Sequence, residues 1–543
     1  MNDFRTYRSC ILFLLCWVMA GCGSTHPREE GYFCYNETTG VASLDPAFAK
    51  NQSIMWVVHQ LYNTLVEVDS NLQIKPSLAK YWEISEDGLR YTFHLRTDIF
   101  FHDDPCFPGG RGRRMVAADI AYSLQRIVDP ATASSGAWIF NDRVRPEDGF
   151  VALDDSTFQL RLLEPFPPIL GILSMQYCSI IPKEAVAQYG SQFRAHPVGT
   201  GPFQFVALEE GQALLMKKNP NYFEVDENGE RLPYLNGIRV EFNDSKATEF
   251  LLFRQGRLHF VNDLDASFKD EILTKNGMLR ADWEGRIRLA KHSYLNTEYL
   301  GILVDTNNAV VKNSPLRLKA IRQALNFGFD RRKMMLYLRN SIGTPAESGF
   351  VPAGLPSFND SLLKGYTYNP DKAKELLQSA GFPNGEGMPV ITLLTVPIYS
   401  EMASYMAREW QELGIPVKIE VVQKSFLLEQ TAQSQAAFFR ASWIADYPDA
   451  ENYLSVFYSR NPAPPNYTRY SNPAFDRLYE LALKETNDSI RFELYRKMDA
   501  LILEDAPVIP LWYDEVIHLV QPYVKNFTPN ALNLLELRRV RFN

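Results

Sequence analysis

The chain has 543 residues, of which 46% are apolar and 22% charged, an ordinary globular composition that excludes wholly disordered and collagen-like classes. The 56 basic and 64 acidic residues give a formal net charge of −8, which disfavours a nucleic-acid-binding function, since such proteins carry a basic surface. The aromatic share of 13% suits either an aromatic-lined binding surface or large cores filled by aromatic rings.

The N-terminus carries an export pattern. Arg5 and Arg8 precede an unbroken apolar run, Cys10 to Ala20, which is too short to span a bilayer and typical of a signal peptide. The run ends in Met19-Ala20-Gly21-Cys22, which resembles a bacterial lipobox. We therefore predict that residues 1–21 are removed and that Cys22 becomes a lipidated N-terminus, rather than that the run forms a buried first helix. The protein is then an exported, cell-envelope lipoprotein, and the sequence leaves open which membrane holds the anchor.

Three cysteines follow the anchor: Cys34, Cys106 and Cys178. An odd number outside the cytoplasm allows at most one disulfide within the chain, and we predict Cys106–Cys178 as the pair. The absence of any CxxC motif gives no support to a thioredoxin-like or zinc-ribbon site.

The first third of the chain is predicted to be rich in strands. Residues 91–96 (Tyr-Thr-Phe-His-Leu-Arg) and 157–162 (Thr-Phe-Gln-Leu-Arg-Leu) alternate between apolar and polar side chains, as half-buried strands do. Between them, residues 107–112 predict a loop and residues 118–127 a short helix that ends before Asp129-Pro130.

The second half alternates helices with strands. Asn369-Pro370 supplies an N-cap and a first-turn proline for one helix, and Gly381 marks its end. A second helix begins at Ser400, residues 417–421 alternate as a strand, and Asn472-Pro473 starts a further helix. This order predicts an α/β lobe built on a mixed sheet.

Catalytic motifs are missing from the sequence: HExxH, GxSxG, a P-loop and an EF-hand are all absent. His94 and His102 with the adjacent Asp103-Asp104 have no familiar ligand spacing, so we interpret them as a solvated turn and predict no metal or cofactor. The carboxylate pairs Asp154-Asp155 and Asp263/Asp265 are interpreted as surface groups, and we predict that the protein is not an enzyme.

Nine separated stretches carry a resemblance to one family. They are Ser43-Leu-Asp-Pro46, Pro76–Trp82, Ile84–Gly88 with Tyr91–Arg96, Ala117–Asp119 with Tyr122-Ser123, Val198–Phe203, Lys218–Tyr222, Leu316–Leu325 with Asp330, Pro352, and Ser442–Tyr447. In this order they resemble the family 5 bacterial extracellular solute-binding proteins, the oligopeptide-, dipeptide- and nickel-binding receptors of ABC importers. The match runs from about Tyr32 to the C-terminus.

The resemblance implies an α/β, two-lobed fold of the periplasmic-binding-protein type (class II-like) with an extra small β-rich domain. Lobe I would combine residues 22–60, 186–295 and 515–543, with the β-rich domain at 61–185, and lobe II would cover 296–514. The chain would cross between lobes near Leu295–Val304 and Ile509–Asp514, and a ligand would be trapped as the lobes close.

The resemblance also implies a set of ligand-binding residues. Asp446 matches the aspartate that pairs with a peptide α-amino group, and Arg440 matches an arginine that meets the ligand carboxylate in some oligopeptide receptors. The other members of the set are Trp443, Ile444, Lys50, Asn51, Gln52, Trp512 and Tyr513. The sequence departs from the family pattern at Gly136, where oligopeptide receptors carry an aromatic that Trp138 could replace, and at Lys50, where an acidic residue is expected.

We therefore predict a lipid-anchored, monomeric substrate-binding subunit that captures oligopeptides and delivers them to the permease subunits of an ABC importer, without binding nucleic acid. Residues 395–400 lack the arginine that dipeptide receptors use for the ligand carboxylate, which favours longer peptides. The alternatives are a receptor for a non-peptide solute (an oligosaccharide, an opine-like compound or a metal chelate) and an unrecognised extracytoplasmic hydrolase.

Overall fold

The structure, a computed structural model, describes residues 31–264 and 266–543. The predicted signal segment at 1–21, the predicted lipidation site Cys22 and the carboxylate of Asp265 lie outside these residues. Within them, no helix has both the length and the apolar character needed to cross a membrane.

Two long antiparallel strands, which we call the crossing strands, lie in the middle of an eleven-stranded sheet. The first crossing strand is Arg288–Ile302 and the second is Val508–Val520. Their ladder runs from Arg288 opposite Val520 to Gly301 opposite Val508, with its main irregularity between Ser293 and Thr297. These strands contain most of both predicted crossings, although the first ends two residues before the predicted limit at Val304.

Each crossing strand carries a separate half-sheet. On the side of the second crossing strand, which we call the first lobe, lie Phe260–Asn262, Tyr32–Asn36, Gly237–Glu241, Ala213–Lys218 and Phe203–Glu209. On the side of the first crossing strand, the second lobe, lie Phe438–Ile444, Ile391–Thr395 and Val417–Val421, while Thr344–Pro345 pairs with the second crossing strand. The two-lobed α/β architecture implied by the resemblance is therefore confirmed.

A four-stranded antiparallel sheet forms the small β-rich unit, in the order Ala79–Ile84, Arg90–Leu95, Thr157–Arg161, Phe150–Asp154. The two strands predicted from alternation are confirmed to within a residue: Tyr91, Phe93 and Leu95 are buried, whereas the residues between them are half-exposed. The predicted helix extends over Ala117–Val128. The domain limits predicted at residues 60, 185, 295 and 514 stay a prediction.

The other regular elements connect these sheets. Two short hairpin-like pairs join Val66–Val68 to Ile74–Pro76 and Val524–Lys525 to Arg541–Phe542. The remaining helices are Gln52–Leu61, Ile169–Leu173, Lys183–Tyr189, Lys246–Arg254, Ala266–Ile272, Ala309–Lys312, Lys319–Phe327, Arg331–Leu338, Pro370–Ser379, Ser400–Glu412, Lys424–Ala432, Glu451–Leu454, Pro473–Ala482 and Asp488–Asp505. The N-caps predicted at Asn369 and Asn472 are confirmed, since both side chains accept backbone hydrogen bonds from the first turn.

The lobes have separate apolar cores, with one informative exception. The first-lobe core includes Phe33 and Trp56, and a second-lobe core includes Trp410 and Phe438. Tyr447 follows a strand of the second lobe, yet its side chain is 2% exposed and packs within the first-lobe core. The segment around Tyr447 therefore ties the two lobes together.

The predicted disulfide is wrong. Cys106 and Cys178 are both free thiols. The Sγ of Cys178 is buried beside the carbonyl oxygen of Ile172, 3.3 Å away, whereas Cys106 lies half-buried in the loop of Asp104. Burial raises the pKa of both thiols, that of Cys106 to about 12, which further disfavours oxidation.

A buried carboxylate holds the loop that contacts both crossing strands. Asp499 accepts hydrogen bonds from the amides of Phe350 (2.6 Å) and Val351 (3.1 Å). The same loop accepts hydrogen bonds from the hydroxyl groups of Thr297, at the Phe350 carbonyl, and Tyr513, at the Gly349 carbonyl. Burial raises the pKa of Asp499 from its ordinary value of 3.8 to about 7.

We expect the Asp499→Asn variant to gain stability relative to the wild type as the pH rises from 5 to 8. A folded-state pKa above the unfolded value gives a contribution that is present below pH 4 and lost as the pH rises through 7. The neutral amide does not titrate, so its free energy of unfolding lacks this decline. Urea denaturation of both proteins at the two pH values measures the difference, and parallel pH profiles would contradict the assignment.

Candidate functional site

A cavity of about 1120 Å³ opens between the two lobes. One wall comes from segments 49–56, 138–143, 174–177 and 532–534, and the other from segments 443–455 and 461–465 with Tyr479. Tyr294 and Leu295, at the irregularity in the first crossing strand, lie between the walls. The volume is at the upper end of the range for sites that bind small molecules, so it suits an extended ligand.

Asp446 lies directly beyond the strand Phe438–Ile444 and lines the cavity. Its side chain is open to the cleft, yet the surrounding protein desolvates the carboxylate, and this burial raises its pKa above the usual range. Its one side-chain hydrogen bond comes from Asn452, whose Nδ2 lies 3.3 Å away. Among the residues that the structure describes, no cation lies within ion-pair distance of it, so a positively charged ligand group would meet an uncompensated anion.

Neighbouring contacts fix the position of Asp446. The amide of Ala445 donates to the carbonyl of Leu295 on the first crossing strand (2.9 Å). On the other side, the hydroxyls of Tyr447 and Tyr479 both donate to the buried carboxylate of Glu451. The carboxylate of Asp446 is therefore presented by a segment held at both ends.

The three residues predicted around the start of helix Gln52–Leu61 all line the cavity. Asn51 is occupied as the N-cap, because its Oδ1 accepts from the amide of Ile54 (3.1 Å), and Gln52 accepts from Asn262 (3.3 Å). Lys50 is exposed, and no described carboxylate lies within 4.0 Å of its ammonium group. Its charge is thus available to the cavity.

Trp443 and Ile444 also line the cavity beside Asp446. The indole of Trp443 donates to Oδ1 of Asn452 (3.0 Å), which also accepts from the amide of Asp446 (3.2 Å). Asn452 therefore positions both side chains, whereas Ile444, 50% exposed, offers an open apolar surface.

Arg440, Trp512 and Tyr513 do not line this cavity. The Arg440 guanidinium pairs with the buried carboxylate of Glu298 at 2.5 Å and lies 3.8 Å from the ring centroid of Tyr399. Its charge is committed to Glu298, because an unpaired buried carboxylate would be strongly unfavourable.

Trp512 and Tyr513, on the second crossing strand, also have hydrogen-bond partners within the protein. The Trp512 indole donates to Asp514 (3.3 Å), and the Tyr513 hydroxyl donates to the Gly349 carbonyl (2.6 Å). The structure therefore does not bring either side chain together with Asp446.

Tyr177 is a cavity residue that the sequence analysis missed. A Cβ built on Gly136 would lie 2.4 Å from a carbon of the Tyr177 ring, so the ring occupies the space beside that glycine. Trp138, 39% exposed, also lines the cavity, as do Gln176 and Tyr294. The aromatic surface missing at Gly136 is thus supplied from a distant part of the chain, a replacement that no local motif indicates.

A metal centre has no support among the described residues, which contain no group of three potential His, Cys, Asp or Glu ligands. The buried His102 bonds the Gly201 carbonyl (2.9 Å), and burial lowers its pKa to about 4. His94 lies against the ring of Tyr81.

Comparisons with known proteins agree with this architecture. The family model of the bacterial extracellular solute-binding proteins, family 5 middle, matches residues 73–464. The chain is 28% identical to heme-binding protein A of Haemophilus influenzae over 86% of this chain and 84% of that protein. It is 27% identical to the periplasmic oligopeptide-binding protein OppA of Salmonella typhimurium over 91% of this chain and 89% of that protein. The solved structure of HbpA2 from Haemophilus parasuis matches with a TM-score of 0.82 at 23% identity, covering 94% of this chain and all of that one.

The Arg440–Glu298 pair predicts a stability effect. Arg440→Met leaves a buried carboxylate without its cation, so we expect a loss of about 3 kcal/mol in the free energy of unfolding. The double variant Arg440→Met/Glu298→Gln should lose less, because both charges are removed. Chemical denaturation measures both values, and an Arg440→Met variant as stable as the wild type would show that the guanidinium is not committed to Glu298.

Proposed function

Because the chain belongs to the bacterial extracellular solute-binding proteins of family 5, we propose that it captures short peptides with a free N-terminus between its two lobes and delivers them to the permease of an ABC importer. The observation that carries the proposal is the Asp446 carboxylate, which faces the cleft, is desolvated and has no cation beside it among the residues that the structure describes. An α-ammonium group is the constant positive charge of every unmodified peptide. An ion pair with this ammonium group would compensate the Asp446 carboxylate and would not depend on the sequence of the peptide.

The rest of the cavity supports a tolerant peptide site. Its lining contains amide side chains of Gln52, Gln176 and Asn533, which can donate to and accept from a peptide backbone. The rings of Trp138 and Tyr177 offer broad apolar surfaces to side chains of different shapes. These features favour an extended ligand held by its common groups.

We propose binding without turnover. The lining of the cavity, as far as the structure describes it, contains no histidine or cysteine, so the usual nucleophile and base pairs are missing from the place where a ligand would lie. The carboxylates of Asp446 and Glu451 are held by hydrogen bonds from the protein instead.

A non-peptide solute is the second candidate. One relative is heme-binding protein A, and the aromatic rings of Trp138, Tyr177, Tyr294 and Trp443 would suit a flat conjugated ligand. Such a ligand would leave the Asp446 carboxylate without a counter-charge, which is why we favour peptides.

The membrane attachment is a separate proposal. The sequence Met19-Ala20-Gly21-Cys22 supports lipidation of the Cys22 thiol, after which the acyl chains would hold the protein at the surface of a membrane. A receptor anchored in this way would meet the permease as a monomer at high local concentration.

We expect Asp446→Asn to weaken the binding of a free tetra-alanine peptide by at least about tenfold, because the ion pair with its ammonium is lost. N-acetyl-tetra-alanine should bind the wild type about as weakly as the free peptide binds Asp446→Asn. The substitution should not change the affinity for the acetylated peptide. Isothermal titration calorimetry with the four protein–peptide combinations measures this coupling.

The matched control is Asp282→Asn, which removes one exposed carboxylate outside the cavity and should leave the affinity unchanged. Equal binding of acetylated and free peptide by the wild type would refute recognition of a free N-terminus by Asp446. Saturable binding of heme with no binding of either peptide would establish the second candidate instead.

If Cys22 carries the lipid anchor, replacing it should change the location of the protein in the cell. Cys22→Ser should move the protein from the membrane fraction to the soluble fraction and abolish labelling by radioactive palmitate, whereas Cys34→Ser should do neither. A Cys22→Ser protein that stays labelled and membrane-bound would contradict the lipid attachment at this residue.

A further inference from the structure

Arg143 places a second cation, after Lys50, in the peptide cavity. It lies on the wall opposite Asp446, after the short turn Ala137–Ile139. Its Nη1 donates to the backbone carbonyls of Trp138 (3.0 Å) and Ile139 (3.4 Å), and its guanidinium carbon lies 4.8 Å from the ring centroid of Phe166. These contacts hold the side chain in one orientation, and none of them neutralises its charge.

One edge of the Arg143 guanidinium, formed by Nε and Nη2, has no hydrogen-bond acceptor among the described residues. In the described part of the chain, no carboxylate lies within 4.0 Å of Arg143, and its Nε and Nη2 atoms donate to no protein acceptor. Neither atom belongs to the buried polar groups that lack a partner, so neither is fully buried, and Arg143 lines the cavity. Nε and Nη2 form the parallel pair of donors that binds a carboxylate in a bidentate manner.

The charge of Arg143 acts on the segment that follows Asp446. Burial raises the pKa values of Tyr447 and Glu451, and the positive charge of Arg143 opposes the rise at both groups. These residues belong to the segment that holds Asp446 in place. The cavity therefore presents the Asp446 carboxylate on one wall and the Arg143 guanidinium on the other, and neither forms an ion pair with a described residue.

The accessible edge of Arg143 points to a substrate class, and we propose that the preferred ligands are short peptides with an acidic first or second residue. This proposal rests on the proposed peptide-binding function. The ligand ammonium would pair with Asp446 while the neighbouring carboxylate accepts from Nε and Nη2 of Arg143, so one ligand neutralises both walls. A peptide without an acidic group would leave Arg143 desolvated and unpaired when the lobes close, which is unfavourable.

The test compares isosteric peptides. Isothermal titration calorimetry on the full-length purified protein would use Asp-Ala-Ala-Ala and Ala-Asp-Ala-Ala against the same peptides with Asn in place of Asp. We expect the acidic peptide to bind at least about tenfold tighter at one of the two positions. Arg143→Gln should abolish that ratio, and Arg143→Lys, which keeps the charge without the bidentate edge, should retain part of it.

The controls separate this inference from the proposed function. Arg111→Gln removes one exposed cation outside the cavity and should preserve the acid-to-amide ratio. Equal binding of acidic and amide peptides by the wild type would overturn the inference while leaving the peptide-binding function intact.

Three further outcomes would also count against the inference. A variant at Arg143 that weakens both peptides by the same factor would assign the residue a structural role and overturn it. If Arg143→Gln fails to fold, the ratio of the wild-type affinities for the acidic peptide and its Asn counterpart decides. A ratio near one overturns the proposal. If the wild type binds none of the peptides, both the proposed function and the inference fail.

Discussion

The antiparallel ladder between Arg288–Ile302 and Val508–Val520 is the constraint on which the rest of the molecule depends. The first crossing strand borders the half-sheet of the second lobe and the second crossing strand that of the first lobe, so the ladder joins two half-sheets that otherwise have separate cores. The pairing is irregular between Ser293 and Thr297, where an interrupted ladder lets the sheet change direction. The cavity opens at this point, because Tyr294 and Leu295 lie there. The cleft is thus a consequence of where the central ladder is interrupted.

Burial divides the charged groups of this region into two classes. Glu298 and Arg440 are paired with each other in the second lobe, and Asp499 has two backbone donors and a pKa raised to about 7, so these groups have their partners within the protein and do not face the cavity. Asp446 and Arg143 differ, because each faces the cavity without a counter-charge among the described residues. Desolvation is unfavourable for the Asp446 carboxylate, and a positively charged ligand group can relieve it. The partition explains why resemblance alone could not assign a role to every charged residue.

Local patterns predicted the elements well, because short-range rules govern them. Asn369 and Asn472 each precede a proline, and the combination of cap and fixed backbone angle starts a helix at both positions. The alternation at residues 91–96 likewise specified a strand with one buried face. The placement of Asp446, Trp443 and Lys50 around one cavity followed from the resemblance over most of the chain.

Contacts between distant residues escaped prediction. The partner of Arg440 is Glu298, 142 positions earlier in the chain, and nothing near either residue indicates the pairing. Nothing in the sequence around Gly136 indicates that Tyr177 fills the space beside it. The number of cysteines likewise does not indicate that Cys106 and Cys178 remain unpaired. Each of these depends on how the lobes pack, which is a property of the whole fold.

The anchoring of Tyr447 determines how the site would respond to lobe closure. Its side chain lies in the first-lobe core, whereas the strand that precedes it, Phe438–Ile444, belongs to the second lobe. Asp446 therefore lies at a junction that both lobes hold, and such a point moves least when the lobes rotate about the crossing strands. Surfaces farther from the junction, such as the ring of Trp138, move more. A ligand would therefore keep its charged end fixed while the walls adjust to the remainder of its length, which gives one anchored end and a tolerant cleft in the same cavity.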